Sequence, residues 1–141
     1  MAYILGKAEG KEKKWHGHVT AVTVIFHHSY SSHTHTHTNK PPQVAPEYRR
    51  LGLAKGLMNL LEQVTEDTYD GYFVDLFVRM SNAVAISMYH SFGYSIYRQV
   101  LGYYSGEEDA YDMRKAMRRD TKKESVIPLK APITPDMIEW N

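Results

Sequence analysis

The chain has 141 residues, of which 43% are hydrophobic and 23% are charged, and its formal net charge is +1. This composition supplies a core for one domain and excludes a disordered chain and a strongly basic nucleic-acid binder. The absence of cysteine excludes a disulfide framework and a thiolate metal site. No apolar run reaches the length of a membrane span and no signal-peptide pattern is present, so we expect a cytoplasmic protein without membrane or direct nucleic-acid partners.

The N-terminal region predicts two strands joined by a lysine-rich turn. Residues 2–5 are apolar, and residues 16–24 show the β-branched alternation of a strand. The turn from Gly10 to Lys14 lies between them, so we predict an antiparallel hairpin. His16 and His18 are two residues apart on the second strand and therefore share one face, where a hydrogen-bonded or surface role is the common one.

Residues 25–43 break this pattern, because serine, histidine, threonine, asparagine and proline replace the apolar periodicity. The His-Thr alternation from His33 to Thr38 is that of a translated CA dinucleotide repeat. The histidines at positions 27, 28, 33, 35 and 37 offer imidazole ligands for Zn²⁺ or Cu²⁺, but no carboxylate or scaffold fixes their geometry. We therefore predict no metal site.

The next two elements are a helix and a buried strand. Apolar residues at positions 54, 57, 58, 61 and 64 have the spacing of one buried helical face. Residues 72–78 form a nearly continuous apolar run, which is typical of a central strand covered on both faces.

The C-terminal half continues this alternation. Ser81-Asn82 can cap a second helix that ends at Gly93. Residues 94–104 and 110–115 predict a pair of strands, and residues 116–141 predict a charged, proline-containing surface tail. The order of elements predicts an α/β fold with a mixed central sheet and flanking helices.

One basic segment with small residues stands at the predicted start of the first helix, namely Arg49-Arg50-Leu51-Gly52-Leu53-Ala54. A helix N-terminus offers unpaired N–H groups and positive potential, which suit a pyrophosphate. Gly52 and Ala54 would let phosphate oxygens approach the backbone, and the two arginines would add charge-assisted bonds. Taken alone, the segment also fits an ordinary basic helix start.

Taken together, the segments resemble the GNAT acetyltransferases. The order is R-R-x-G-x-A, then a strand ending in V-R-x-S-N, then A-x-x-x-Y and F-G-Y. Longer stretches, such as WHGHVTAVTV and VAPEYRRLGLAKGLMNLLE, are similar to the catalytic subunits of N-terminal acetyltransferase B, or NatB. The resemblance implies the GNAT fold, acetyl-CoA as co-substrate and the NatB auxiliary subunit as partner. The implied substrates are ribosome-associated nascent chains that begin with Met followed by Asp, Glu, Asn or Gln.

The resemblance also assigns roles to individual residues. It implies that Tyr89 is the general acid for the CoA thiolate, and His18 is the candidate base for the α-amine. The implied cofactor contacts are Val22, Val24, Val44, Arg49, Arg50, Leu51, Gly52, Leu53, Ala54 and Asn82. The implied peptide contacts are His18, Thr20, Asn82, Tyr103 and Tyr104.

The chain departs from this family in two ways. It begins within what resembles the family's third strand, so we expect a fold that is incomplete at the N-terminus. Residues 25–43 are foreign to the family pattern, in which Val24 would join Val44 directly. We therefore interpret residues 1–115 as a truncated acetyltransferase domain and residues 116–141 as a tail.

These departures leave three interpretations open, of which the first is a NatB-type enzyme with impaired activity. For the chain as given, we expect little or no peptide acetylation. The alternatives to a NatB-type enzyme are an inactive isoform that only binds CoA or the auxiliary subunit, and a GNAT enzyme with another amine acceptor.

Overall fold

The computed structural model describes residues 2–24 and 46–138, so the predictions for residues 25–43 and for Val44 lie outside the described residues. The elements are β1 (Ala2–Glu9), β2 (His16–Val24), α1 (Pro46–Asp67), β3 (Phe73–Arg79), α2 (Ala83–Ser91), β4 (Ser95–Tyr104) and β5 (Glu108–Ala116). Short 3₁₀ turns lie at Glu12–Lys14, Glu124–Val126 and Pro135–Met137. The predicted mixed sheet with flanking helices is confirmed.

A single five-stranded sheet organises the described residues in the order β1-β2-β3-β5-β4. β1 and β2 form the predicted antiparallel hairpin, in which Glu9 lies opposite His16. β2 and β3 are parallel, and α1 lies between them in sequence. β3 is central and is buried or half-buried at every position except Arg79, as expected for a strand covered on both faces.

The parallel pairing of β2 and β3 stops before either strand ends. Their pairing runs from His16 opposite Phe73 to Val19 opposite Leu76, whereas β2 continues to Val24 and β3 to Arg79. The backbone of residues 20–24 therefore lies beyond the ladder with β3, and we call this opening the β2–β3 wedge. Ligands of open α/β sheets bind outside the carboxyl ends of the strands, so the wedge marks the expected site.

The core lies between the sheet and the two helices, where Met58, Val74 and Met113 are fully buried. The predicted face of α1 is largely confirmed, since Ala54 and Met58 are buried and Leu57 and Leu61 are half-buried. The prediction for Val64 is wrong, because this side chain is 42% exposed. The neighbouring Thr65 is buried instead and donates its hydroxyl to the Leu61 carbonyl at 2.8 Å.

Gly17 provides a direct test of how closely α1 approaches β2. A Cβ at Gly17 would overlap the Thr65 hydroxyl, whereas a Cβ at Gly56 would meet nothing within 4 Å. We expect Gly17→Ala to lower the free energy of unfolding by about 2 kcal/mol, because overpacking forces the helix away from the sheet. Gly56→Ala should raise it by about 0.5–1 kcal/mol through helix propensity. Urea unfolding measures both, and equal midpoints for Gly17→Ala and wild type would contradict the packing described here.

The segment after Ala116 follows the outer edge of β4. The Leu129 N–H donates to the Tyr97 carbonyl at 2.7 Å, and the Leu101 N–H donates to the Ile133 carbonyl at 2.8 Å. The surface-tail prediction is therefore wrong for several of its side chains, since Met117, Asp120 and Ile138 are buried. The sequence pattern of this segment predicted a surface tail because its apolar residues are isolated among prolines and charged residues, although they cover this sheet edge. The domain boundary at residue 115 stays a prediction.

Candidate active site

His18 on β2 and Asp75 on β3 form a buried, hydrogen-bonded pair. His18 Nδ1 lies 2.7 Å from Asp75 Oδ1, and both side chains are less than a tenth exposed. The two residues meet because they are directly opposite each other in the parallel ladder. Sequence analysis missed Asp75, although a lone carboxylate inside the apolar run YFVDLFV was a usable signal.

Each member of this pair shifts the pKa of the other toward its charged form. Burial opposes the charged form of His18, but the hydrogen bond and charge of Asp75 outweigh it and raise the pKa of His18 above 6.5. Burial likewise opposes the charged form of Asp75, but the hydrogen bond from His18 and the charges of His16, His18 and Arg114 hold its pKa below 3.8. Asp75 therefore stays a carboxylate that orients the His18 ring.

A chain of aromatic contacts leads from His18 to the predicted peptide-binding tyrosines. The His18 ring lies 5.6 Å from Phe77, which stacks on Tyr103 at 4.7 Å. Tyr103 meets Tyr104 edge to face at 5.0 Å, and the Arg79 guanidinium lies 4.1 Å from the centre of the Tyr104 ring. The structure thus brings His18, Tyr103 and Tyr104 to one side of β3, linked by Phe77, which sequence analysis missed.

Tyr89 lies on α2 and packs against the core between the helices and the sheet, whereas His18 lies on the opposite face of the sheet. The Tyr89 ring packs edge to face against Phe92 at 6.4 Å and Tyr94 at 6.1 Å. Burial raises the pKa of Tyr89 above 10.0, so the side chain is a neutral phenol that can donate a proton. Burial, then the neighbouring Tyr103, and to a smaller extent Glu108 and Tyr89, raise the pKa of Tyr104.

Asn82 stands at the start of α2 as predicted. Its side-chain Oδ1 accepts a hydrogen bond from the Ala85 N–H at 3.1 Å, which is the geometry of a helix N-cap. The preceding turn is held by Glu108, which accepts hydrogen bonds from the Ser81 hydroxyl and, at 2.8 Å, from Arg79 Nη1. These bonds lower the pKa of Glu108 and attach the turn to the β4–β5 hairpin.

Two predicted contacts lie on β2 itself. Thr20 is exposed and has no partner residue on β1, because the register shifts there from Gly6 opposite Val19 to Leu5 opposite Ala21, so strand alternation does not place it on the His18 face. Val22 is half-buried, pairs with Ile4 of β1 and packs against the core. The backbone of Val22 and Val24 lies along the β2–β3 wedge, and the roles given to both residues stay predictions.

The basic segment lies inside α1 rather than before it. The prediction that this segment starts the helix is wrong, because α1 already begins at Pro46, whose fixed φ suits a first helical position. Ala54 is buried in the core and therefore cannot line a phosphate site with its side chain, whereas Leu51 and Leu53 are exposed. A Cβ at Gly52 would meet no atom of the described residues within 4 Å, so none of them fills the space beside Gly52. The side chains of Arg49 and Arg50 lie outside the described part of the chain.

Comparison with known proteins decides the family. The model of the acetyltransferase (GNAT) family matches residues 2–94. The chain belongs to the GNAT acetyltransferase family. This acetyltransferase is 56% identical over 141 residues to the NatB catalytic subunit NAA20 of Arabidopsis thaliana, covering all of this chain and 70% of the relative. It is also 56% identical over 135 residues to N-alpha-acetyltransferase 20 of Dictyostelium discoideum, covering 96% of this chain and 66% of the relative.

Solved structures agree with the assignment. The acetyltransferase matches Chaetomium thermophilum Naa20 in complex with a bisubstrate analogue with a TM-score of 0.71 and 38% identity, covering 96% of this chain and 70% of that chain. The chain spans about two thirds of the length of these relatives. Among the described residues, none of the helices has the length and apolar character needed to cross a membrane.

Proposed function

We propose that this acetyltransferase transfers the acetyl group of acetyl-CoA to the α-amino group of proteins that begin with Met followed by Asp, Glu, Asn or Gln. The observation that carries the proposal is the His18–Asp75 pair beside the β2–β3 wedge, bordered by Tyr103 and Tyr104. The names of its 56% identical relatives support the same activity.

The chemistry begins with a neutral amine. An unperturbed α-amino group has a pKa of about 8, so only a modest base is needed near neutral pH. His18 accepts the proton, directly or through water, while Asp75 holds the opposite ring nitrogen and stabilises the cation that forms.

The acetyl transfer then proceeds through a tetrahedral intermediate. The amine nitrogen bonds to the thioester carbon, and backbone N–H groups around Val22 to Val24 in the wedge stabilise the oxyanion. Collapse of the intermediate breaks the C–S bond, and Tyr89 donates its phenolic proton to the leaving thiolate. The raised pKa of Tyr89 keeps this proton in place until the thiolate forms.

The chain offers a place for the pyrophosphate of acetyl-CoA beside Gly52. A matched pair of glycines tests this, because a Cβ at either Gly52 or Gly56 of α1 meets nothing within 4 Å. Both alanine variants should gain stability, by about 0.5–1 kcal/mol. Only Gly52→Ala should raise the KM for acetyl-CoA, by about tenfold or more, because its methyl group occupies the space that the proposal gives to the phosphate. Initial rates and urea unfolding check this, and equal KM values for the two variants would remove Gly52 from the site.

Peptide acetylation tests the proposed function directly. The full chain, co-purified with a NatB auxiliary subunit, is incubated with acetyl-CoA and peptides that begin Met-Asp, Met-Asn, Met-Leu or Ser, with spermidine as a non-peptide amine. The sequence predicts a low overall rate for the chain as given, and we expect any acetylation of the first two peptides to be at least about tenfold faster than that of the others. Equal use of spermidine would favour a different amine acceptor, and CoA binding without turnover would favour the binding-only isoform.

The same proposal includes the partner and the location. NatB assemblies are among the similar solved structures, which supports an auxiliary subunit as partner of this acetyltransferase. We propose nascent chains at cytoplasmic ribosomes as its substrates. Co-purification of the tagged chain with ribosomes, lost on puromycin release of nascent chains, is the expected result.

A further inference from the structure

Four ionisable side chains converge beneath the sheet face opposite α1. Glu9, His16, His18 and Asp75 come from three neighbouring strands and keep only 5–10% of their side-chain surface exposed. Potential ligand atoms of Glu9, His16 and His18 lie within 4.8 Å of one another. The reaction proposed above uses His18 and Asp75 but gives no role to Glu9 or His16.

His16 is held in the orientation of a metal ligand. Its Nδ1 lies 2.5 Å from the Lys14 carbonyl, which requires a proton on that nitrogen. Its ring stacks on Phe73 with centroids 4.5 Å apart and planes 7° apart, which fixes the direction of Nε2. Metal-binding histidines characteristically donate their second ring nitrogen to a carbonyl or carboxylate, as His16 does here.

The distances around His16 Nε2 suit a cation better than a hydrogen bond. Nε2 lies 3.5 Å from Glu9 Oε1 and 3.6 Å from Asp75 Oδ1, beyond the usual length of an N–H···O bond. His18 Nδ1 lies 3.9 Å from the same Glu9 oxygen. Ligand atoms about 2.0–2.1 Å from a tetrahedral zinc are roughly 3.3 Å apart, close to these values.

Charge and support also match a divalent cation. Two carboxylates offer anionic oxygen ligands to the ion, and two neutral imidazoles complete four ligands. Glu9 is oriented by Lys7, whose Nζ lies 2.6 Å from its other oxygen, Oε2. The His18–Asp75 separation of 2.7 Å must widen by about 0.6 Å to reach the tetrahedral spacing.

We propose that Glu9, His16, His18 and Asp75 form a zinc site that competes with catalysis. Zn²⁺ takes the place of the proton between His18 Nδ1 and Asp75, and the neutral imidazole then carries its proton on Nε2, so His18 can no longer act as the base. The inhibitory consequence rests on the proposed function, whereas metal binding itself does not. The site revises the prediction that the chain has no metal site.

A zinc titration of this site requires that the other histidines able to bind metal are first replaced. The chain has eight, and those at positions 27, 28, 33, 35 and 37 offer competing ligands. The full chain with all five replaced by serine is therefore the reference protein. It is titrated with Zn²⁺ against a chromophoric chelator and with Co²⁺, whose visible spectrum reports tetrahedral coordination. We expect one metal ion per chain and an intense tetrahedral Co²⁺ spectrum.

Substitutions then locate the ion. Glu9→Gln and His16→Gln should each weaken Zn²⁺ binding by about 100-fold or more and abolish the Co²⁺ spectrum. His90→Gln is the matched control, because His90 is exposed and bonds only locally, to the Tyr94 carbonyl at 3.0 Å. Circular dichroism verifies folding of each variant, and Zn²⁺ should raise the Tm of the reference protein but not of Glu9→Gln.

The outcomes separate the two proposals. Absence of zinc binding by the folded reference protein, or equal affinity in Glu9→Gln and the reference, overturns the zinc site whatever the activity. Binding at the predicted ligands without any acetylation supports the zinc site and overturns the proposed function. Where acetylation occurs, Zn²⁺ should inhibit the reference protein at concentrations about 100-fold lower than Glu9→Gln, and EDTA should restore the rate.

Discussion

Tyr89→Phe is expected to lower kcat about 100-fold or more while leaving the KM values for acetyl-CoA and peptide within about twofold. The substitution removes only the phenolic proton that the proposed mechanism delivers to the leaving thiolate, and general acid catalysis is worth about 10²–10⁴-fold. The ring and its contacts with Phe92 and Tyr94 stay in place, so folding should not change. Steady-state rates with the auxiliary subunit present measure the effect.

Tyr94 supplies the matched control for this loss of a hydroxyl. Tyr94 lies beside Tyr89, but its hydroxyl donates to Glu62 at 2.9 Å and is part of the packing of α1. Tyr94→Phe should cost about 1 kcal/mol of unfolding free energy and leave kcat unchanged, the reverse of the Tyr89→Phe pattern. A full rate in Tyr89→Phe would exclude Tyr89 as the general acid.

Asp75→Asn is expected to reduce both activity and stability. The amide cannot stabilise the His18 cation, so kcat/KM should fall about 100-fold near pH 7. Breaking a buried pair of this kind costs about 3 kcal/mol. Asp112→Asn is the control for loss of a buried carboxylate, because Asp112 is fully buried and pairs with Arg98 at 2.8 Å and with Arg114 at 3.2 Å. It should lose comparable stability but keep the kcat/KM of the folded enzyme.

The stability lost in Asp75→Asn should depend on pH in a defined direction. The pKa of His18 is raised above 6.5, so its contribution to stability is complete below pH 6.5 and is lost as the pH rises through the folded-state value. The pKa of Asp75 is lowered below 3.8, so its contribution is present above pH 3.8 and is lost as the pH falls through the folded-state value. The stability difference between wild type and Asp75→Asn should therefore be largest between these two limits.

The activity profile follows from the same shift. In wild type, the acidic limb of kcat/KM should lie above pH 6.5, because His18 must lose its proton to act as a base. Asp75→Asn should move this limb to lower pH, and Asp112→Asn should leave it in place. Both profiles are measured in the presence of EDTA so that metal binding does not contribute, and an unchanged limb in Asp75→Asn would contradict the role of the pair.

Local patterns were sufficient for most of the secondary structure. The alternation in residues 16–24 and the apolar run at 72–78 correspond to β2 and β3, and the Asn82 cap starts α2. These signals depend on neighbours in sequence, which is why they were predictable. The start of α1 was misplaced at the segment containing Gly52, because Pro46 and the helix-forming residues after it already begin the helix.

The site depends on contacts between residues far apart in sequence. Nothing near His18 in the chain indicates Asp75, which is 57 residues away and becomes its partner through the parallel ladder. Glu9 reaches the same cluster only because the β1–β2 hairpin places it opposite His16. The register of the strands determines these side-chain contacts, because a shift of one residue would move each side chain to the other face of the sheet.

The sequence by itself determined the family and the mixed α/β fold, because long matching stretches and local periodicity carry that information, whereas the base and acid that it proposes stay predictions. The tertiary structure alone decided that His18 is paired with a buried carboxylate, that the parallel strands open into a wedge, and that Glu9 and His16 stand beside the base. Those features arise from pairing between distant strands and from burial, which change the charge and pKa of a side chain without altering its local sequence.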